Sequence, residues 1–243
     1  MKAMVFAAGL GTRLKPITDT LPKALVPICG QPLLYHVIHK IADAGYDGIV
    51  VNVHHFADMI RDWLATHDFG VPVEISDETD LLRETGGAIR HARPLLDGEP
   101  FLVHNVDIIS DLDLPWFREQ AAPDALATLL VSERKTQRYF LFDDYMRLVG
   151  WTNLATGEVR SPYPDLKVED CRRYAFAGIH QISPLIFRLF DEYGCQERFP
   201  IVDFYLRACK DYPIYGVAPE SLTIVDVGKF ETLAEAEKVC SAL

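Results

Sequence analysis

The chain has 243 residues, 49% apolar and 24% charged, a composition that excludes a disordered or fibrous chain. Its formal net charge of −11 argues against nucleic-acid binding and against an anionic membrane surface. No apolar run approaches the roughly 20 residues of a membrane-spanning helix, and five scattered cysteines without C-x-x-C spacing predict reduced thiols of a cytoplasmic protein, not a disulfide framework or a zinc site.

Lys2 to Ala8 is a near-continuous apolar run, as for a parallel strand covered on both faces. A long Gly/Pro/Thr loop follows to Pro32. Leu34, Val37, Ile38, Ile41 and Ala44 fall on one face and predict a helix over 33–44, stopped by Gly45. Strands are expected at 48–53, 71–75, 101–103 and 126–131, with helices around 56–64 and over 85–96. This β-α-β rhythm predicts an α/β, Rossmann-like fold: an open, mostly parallel sheet with helices on both faces. From about 134 the rhythm changes. Antiparallel strands are expected at 139–142, 147–151 and 174–182, then short helices near 184–191 and 201–210. Strands at 215–217 and 223–227 precede a closing helix over 230–243. No repeat or linker divides the chain, so we expect one domain over 1–243 whose later part extends the same sheet and forms a lid.

In such sheets ligands sit beyond the carboxyl ends of the strands. Two features fall there. The first is Ala7-Ala8-Gly9-Leu10-Gly11-Thr12-Arg13, followed by Lys15-Pro16 and Leu21-Pro22-Lys23. Its glycines let backbone N–H groups approach a phosphate, Arg13 offers a two-pronged phosphate contact and Lys23 a compact charge. Residues 1–40 carry five bases against one acid, whereas the rest carries 19 bases and 34 acids. This local excess suggests an anion site. The loop is neither a P-loop, which needs Lys directly after the second Gly, nor a dinucleotide fingerprint, because position 14 is Leu. The second feature is Asp107, after the strand at 101–103, which could meet Asp226 at the end of a late strand to hold a magnesium ion. Glu84-Thr85-Gly86-Gly87 opens a helix with a glycine pair whose free N–H groups suit either a ligand edge or a tight turn. Asp111-Leu112-Asp113 reads as a helix N-cap. His54, His55 and His104 read as structural. Ser and Cys nucleophile arrangements are absent.

Gly9-Leu10-Gly11-Thr12-Arg13-Leu14-Lys15-Pro16-Ile17-Thr18, with Pro22-Lys23-Ala24-Leu25-Val26-Pro27 and Pro32, resembles the N-terminal motif of the sugar-1-phosphate nucleotidyltransferases. Glu84-Thr85-Gly86-Gly87 is similar to the E-T-G-G form of the short bacterial N-acetylmuramate-1-phosphate uridylyltransferases, which share this length and lack a β-helix domain. The resemblance implies a GT-A-like fold, with a nucleotide-binding half over 1–133 and a sugar-binding half with the closing helix over 134–243. It implies that Arg13 and Lys23 are catalytic. The nucleotide would lie on Ala7, Ala8, Gly9, Gly11, Thr12, Arg13, Lys23, Glu84, Thr85, Gly86 and Gly87. The sugar would lie against Asn105, Phe140, Arg173 and Gly178, and Asp107 and Asp226 would hold Mg²⁺. Some positions depart from the family pattern. Val106 stands in the middle of its N-G-D, Phe140 where many members have Gly, and Ile224 and Lys229 where it has Trp and Thr. Many members carry Glu-Lys-Pro before the strand at 174–182; here Lys167 or Arg173 is the expected substitute.

The expected reaction joins a nucleoside triphosphate, UTP foremost, to a sugar 1-phosphate, N-acetylmuramate 1-phosphate foremost, releasing pyrophosphate. The enzyme would act as a monomer or small homo-oligomer. The alternatives are a mannose- or glucose-1-phosphate guanylyltransferase or another acceptor in the superfamily, a non-catalytic nucleotide-sugar-binding subunit, and a glycosyltransferase using Asp111 and Asp113.

Overall fold

The computed structural model describes residues 1–242. The chain begins with β1 (Ala3–Phe6), and the loop after it is built from three single turns of 3-10 helix, at Thr12–Leu14, Ile17–Asp19 and Lys23–Leu25. A small hairpin of β2 (Pro27–Ile28) and β3 (Gln31–Pro32) leads into α1 (Leu33–Asp43). Then come β4 (Ile49–Val53), α2 (Ala57–Ala65), β5 (Val73–Asp77), α3 (Glu84–His91), α4 (Arg93–Leu96) and β6 (Phe101–Asn105). A short strand β7 (Ile108–Ser110) precedes α5 (Leu114–Glu119) and β8 (Ala127–Ser132). The later part holds β9 (Arg138–Phe142), β10 (Leu148–Asn153), β11 (Glu158–Arg160) and the long β12 (Arg172–Ile182). It closes with α6 (Leu185–Glu192), α7 (Ile201–Ala208), β13 (Ile214–Val217), β14 (Ile224–Asp226) and α8 (Phe230–Cys240).

The main sheet runs β11-β10-β9-β12-β6-β1-β4-β5, with β8 beside β12 and β13 beside β8. β6, β1, β4 and β5 are mutually parallel. β1 shows why this centre forms: Ala3 and Val5 point into one apolar layer, Met4 into the other. A strand buried on both faces must be apolar throughout, and β4 is buried at all five positions. One layer packs α1, α2 and α8 through Leu34, Ile38, Ile60 and Ala236. The other packs α3, α6 and α7 through Ile89, Phe187, Phe190 and Phe204.

The α/β architecture expected from the sequence is present, with differences of detail. The strand expected at 126–131 does not continue the parallel row, because β12 lies antiparallel between β6 and β8. The helix expected over 85–96 is two helices: Pro94, near the start of α4, has no N–H to continue the ladder of α3. The strand β7 was not expected, and it pairs antiparallel with β14. Asp113 caps α5, its carboxylate accepting from the amide of Trp116 at 2.9 Å. All five cysteines are free. The closing helix, expected over 230–243, ends at Cys240, with 241–242 in a turn; Leu243 lies outside the described residues. Among the described residues, no helix is long and apolar enough to cross a membrane.

Candidate active site

A cavity of about 430 Å³ opens beyond the carboxyl ends of β1, β4 and β6. Ala7, Ala8 and Gly9 form one wall, Glu78, Leu82, Glu84 and Thr85 another; Asn52, Asn105, Lys23, Asp107 and Pro200 complete it. The parallel strands deliver these groups because each ends on the same edge of the sheet.

The glycine loop leaves β1 with its donors unused. Among the described residues, nothing accepts from the amides of Gly9, Leu10 or Gly11. A side chain at Gly9 would meet nothing within 4 Å, so a ligand can approach the main chain there. Gly11 has φ +63°, and a β-carbon on it would sit 2.8 Å from the Thr18 methyl group, so only glycine fits without strain. Thr12 and Arg13 are exposed in the first turn after it. The amides of Ala7 and Ala8, before the loop, are spent. Both donate to Asn52 Oδ1, at 2.7 and 3.3 Å, and only their surface lines the cavity.

The two aspartates converge. Asp226 ends β14, which pairs with β7 so that Asp226 stands opposite Ile108, next to Asp107. Lys23, buried, forms an ion pair with Asp107 Oδ2. Asp226 has no such partner: its Oδ1 is buried and accepts no hydrogen bond. Burial pushes the Asp226 carboxyl above its ordinary range, and Asp107 adds to this, while Lys23, Arg134 and Arg13 oppose it. A β-carbon built on Gly228 would lie 2.7 Å from both Arg13 Nη2 and Asp226 Oδ1. Arg13 therefore reaches across to the segment that carries the second aspartate.

An orphaned buried carboxylate oxygen beside a second carboxylate suits a hard divalent cation. Among the described residues, no group of three or more His, Cys, Asp or Glu side chains is placed to hold a metal. Two protein ligands with the remainder from phosphate oxygens and water is the pattern that Mg²⁺ accepts.

Other expected contacts are absent. The amides of Gly86 and Gly87 are not free: both donate to the Phe199 carbonyl, at 2.9 and 3.2 Å. A β-carbon on Gly86 would collide with the Phe199 ring, and one on Gly87 with the Glu197 carbonyl. The glycine pair is thus a packing device against segment 197–200, and Glu84 and Thr85 line the cavity instead. Phe140 is 2% exposed and packs on Phe142 and Phe176 in the core, so it does not reach the cavity. Arg173 is exposed outside the cavity lining, and Lys167 lines a separate hollow among Asp143, Asp144, Asp165 and Asp170. Asn105 and Gly178 are brought together: Gly178 has φ +75°, and a β-carbon there would lie 2.5 Å from Asn105 Nδ2.

Sequence reasoning missed Asn52, Glu78 and the Phe199–Pro200 segment. Asn52 Nδ2 donates to Glu78 Oε1 at 2.8 Å, and Glu78 Oε2 accepts from the Arg83 amide at 3.2 Å. Burial raises the pKa of Glu78, which is 0% exposed. An asparagine inside the apolar run Ile49–Val53 was the available signal, because a buried amide needs partners.

Comparison with known proteins agrees with this fold. The chain is 35% identical to the N-acetylmuramate alpha-1-phosphate uridylyltransferase of Caulobacter vibrioides over 90% of this chain and 89% of that protein. It is 36% identical to the mannose-1-phosphate guanyltransferase of Hypocrea jecorina, over 46% of this chain and 31% of that one. The fold superimposes on that of apo UDP-glucose pyrophosphorylase with a TM-score of 0.81, at 18% identity, covering 100% of this chain and 98% of that one. The nucleotidyl transferase family model matches residues 2–140, and the chain belongs to that family.

Proposed function

We propose that the protein transfers uridylate from UTP to a sugar 1-phosphate, N-acetylmuramate 1-phosphate being the first candidate, and releases pyrophosphate. One observation carries the reaction class: an unused loop amide at Gly9 and the Lys23–Asp107 pair line one strand-end cavity, and the unpartnered Asp226 carboxylate stands beside Asp107. The choice of UTP and of this sugar rests on the Caulobacter relative, which matches nearly end to end.

In this proposal the acceptor phosphate oxygen attacks the α-phosphorus in line with the departing pyrophosphate. No protein nucleophile is required, because phosphoryl chemistry depends on position and charge neutralisation. The amides of Gly9 to Thr12 and the Arg13 guanidinium hold the leaving phosphates. Lys23 neutralises charge growing at the α-phosphate. The base and ribose occupy the space among Asn52, Leu82, Glu84, Thr85 and Pro200, and Asn105 faces the sugar. Asp107 and Asp226 would hold Mg²⁺, which screens the phosphate charges when bound. Residues 1–133 supply most of the nucleotide side, and 134–243 supply Asp226, Pro200 and the acceptor side.

The test is pyrophosphate release with four nucleoside triphosphates against carboxylated and neutral sugar 1-phosphates. UTP with N-acetylmuramate 1-phosphate should give the highest kcat/KM. A preference for GTP with mannose 1-phosphate, the pair suggested by the Hypocrea relative, would overturn the substrates and leave the reaction class. NDP-sugar binding without any turnover would favour a non-catalytic subunit.

A further inference from the structure

An attacking phosphate monoester and a triphosphate are both anions, so the acceptor side of the site needs a cation of its own. The bases expected there are otherwise placed. Lys167 lies in the acidic hollow and Arg173 is exposed outside the cavity lining; of the other bases in that stretch, Arg160 pairs with Asp203 at 2.7 Å and Arg172 with Asp144 at 3.6 Å. Arg13 belongs to the glycine loop, and Lys23 is held by Asp107.

Arg134 remains, and its position is specific. β12 is antiparallel to both β6 and β8, so β8 runs parallel to β6 and ends on the same edge of the sheet. Arg134 follows that end by two residues. Its Nη2 donates to the carbonyl of Phe176 at 3.1 Å, two residues before Gly178, the residue against which Asn105 packs. The rest of the guanidinium is unspent: Nε–H is buried without an acceptor, and among the described residues Arg134 makes no ion pair. A half-buried arginine without a carboxylate partner is unusual in a chain of net charge −11. Its charge is nevertheless felt at Asp226. It enters from β8, whereas Arg13 enters from the glycine loop.

We propose that Arg134 is a catalytic residue that receives the phosphate of the sugar 1-phosphate, its Phe176 contact fixing one donor while the free edge of the guanidinium donates to the non-attacking oxygens of that phosphate. This rests on the reaction proposed above. A planar guanidinium with one donor fixed on the main chain retains a two-donor edge for a phosphate.

The experiment compares wild type, Arg134→Ala and Arg134→Gln, the latter keeping a donor for Phe176 without the charge. Steady-state kinetics give KM for N-acetylmuramate 1-phosphate and for UTP separately. Calorimetry gives the affinity for the same sugar phosphate on enzyme loaded with a non-hydrolysable UTP analogue, and melting curves report folding. Loss of one charged contact should raise KM and Kd for the sugar phosphate on the order of 10- to 100-fold, with UTP affinity within about twofold of wild type. Arg134→Lys should recover part of the loss. Sugar-phosphate affinity within twofold of wild type in a folded Arg134→Gln overturns the assignment while the activity of the wild type upholds the reaction. An equal loss of UTP and sugar-phosphate affinity also overturns it, since that is the signature of a structural role. A wild type that binds no sugar 1-phosphate on any panel member removes both proposals together.

Discussion

The amide of Val227 donates to the carbonyl of Asp107 at 2.8 Å, tying the end of β14 to the turn after β6. Two carboxylates from distant parts of the chain are thereby fixed side by side, one matched by Lys23 and the other unmatched. A single monovalent cation cannot satisfy this pair, and burial makes the deficit costly.

Asp226→Asn removes the unmatched charge but keeps the shape. We expect turnover at saturating Mg²⁺ to fall by at least ~100-fold, with the melting temperature unchanged or raised, because a buried like-charge pair is relieved. Asp107→Asn should lose as much activity and also release Lys23. Near-normal turnover in a folded variant of either would discard the two-aspartate metal site.

Lys23→Ala and Arg13→Ala should separate in kinetics. Lys23 is buried against the reacting edge of the cavity, and its loss should lower kcat by about 10²- to 10³-fold with little change in KM for the nucleotide. Arg13 is exposed, and in the proposed reaction it holds the pyrophosphate end, so its loss should raise the nucleotide KM instead. The opposite split would exchange their roles.

Gly86→Ala places a methyl group inside the Phe199 ring, and the ring must move. Overpacking of this kind costs about 1–3 kcal/mol. Because Pro200 lines the cavity, we expect a lower melting temperature together with a raised nucleotide KM. Wild-type values for both would show that segment 197–200 yields freely.

His180 is fully buried, and burial lowers its pKa from its ordinary 6.5 to about 3. It bonds the Tyr205 hydroxyl at 2.7 Å. The unfolded chain therefore takes up a proton below about pH 6.5 that the folded chain refuses, and stability falls as pH drops from there toward 3. His104, lowered to about 4 chiefly by burial, acts in the same direction. Melting curves between pH 8 and 5 should show this decline, and His180→Gln should flatten it. An unchanged slope in that variant would assign the acid sensitivity elsewhere.

The glycine loop, Lys23 and the two aspartates were legible because their chemistry is written in residue type: glycine where φ is positive, a lysine after a stiff Pro-containing loop, acids at strand ends. The parallel core was legible from uninterrupted apolar runs. Phe140 and the glycine pair were misplaced for a common reason. What a side chain or amide faces depends on partners far along the chain, and neither Phe176 nor Phe199 is marked as such by local pattern. β7 is three residues long, too short for periodicity to register, and it exists because β14 arrives beside it. Arg134 carries no motif at all; only the direction of β8 shows that it lies at the same edge of the sheet as the site.

The seam between the Gly86–Gly87 turn and segment 197–200 also bears on how the cavity comes into being. Phe199 donates to the Arg83 carbonyl at 3.2 Å and accepts from two amides of α3, and the Ile201 amide donates to Thr85 Oγ1 at 2.9 Å. The Pro200 side of the cavity is thus a long-range product of chain folding, closed only after the polypeptide returns from its distal half. Contacts of such wide sequence separation form late, since the loop between them must be closed first. A fragment ending near residue 140 would keep the glycine loop and Glu78, Leu82, Glu84 and Thr85 but lose Pro200 and the segment that seats the start of α3, so the cavity is completed by the chain as a whole, not module by module.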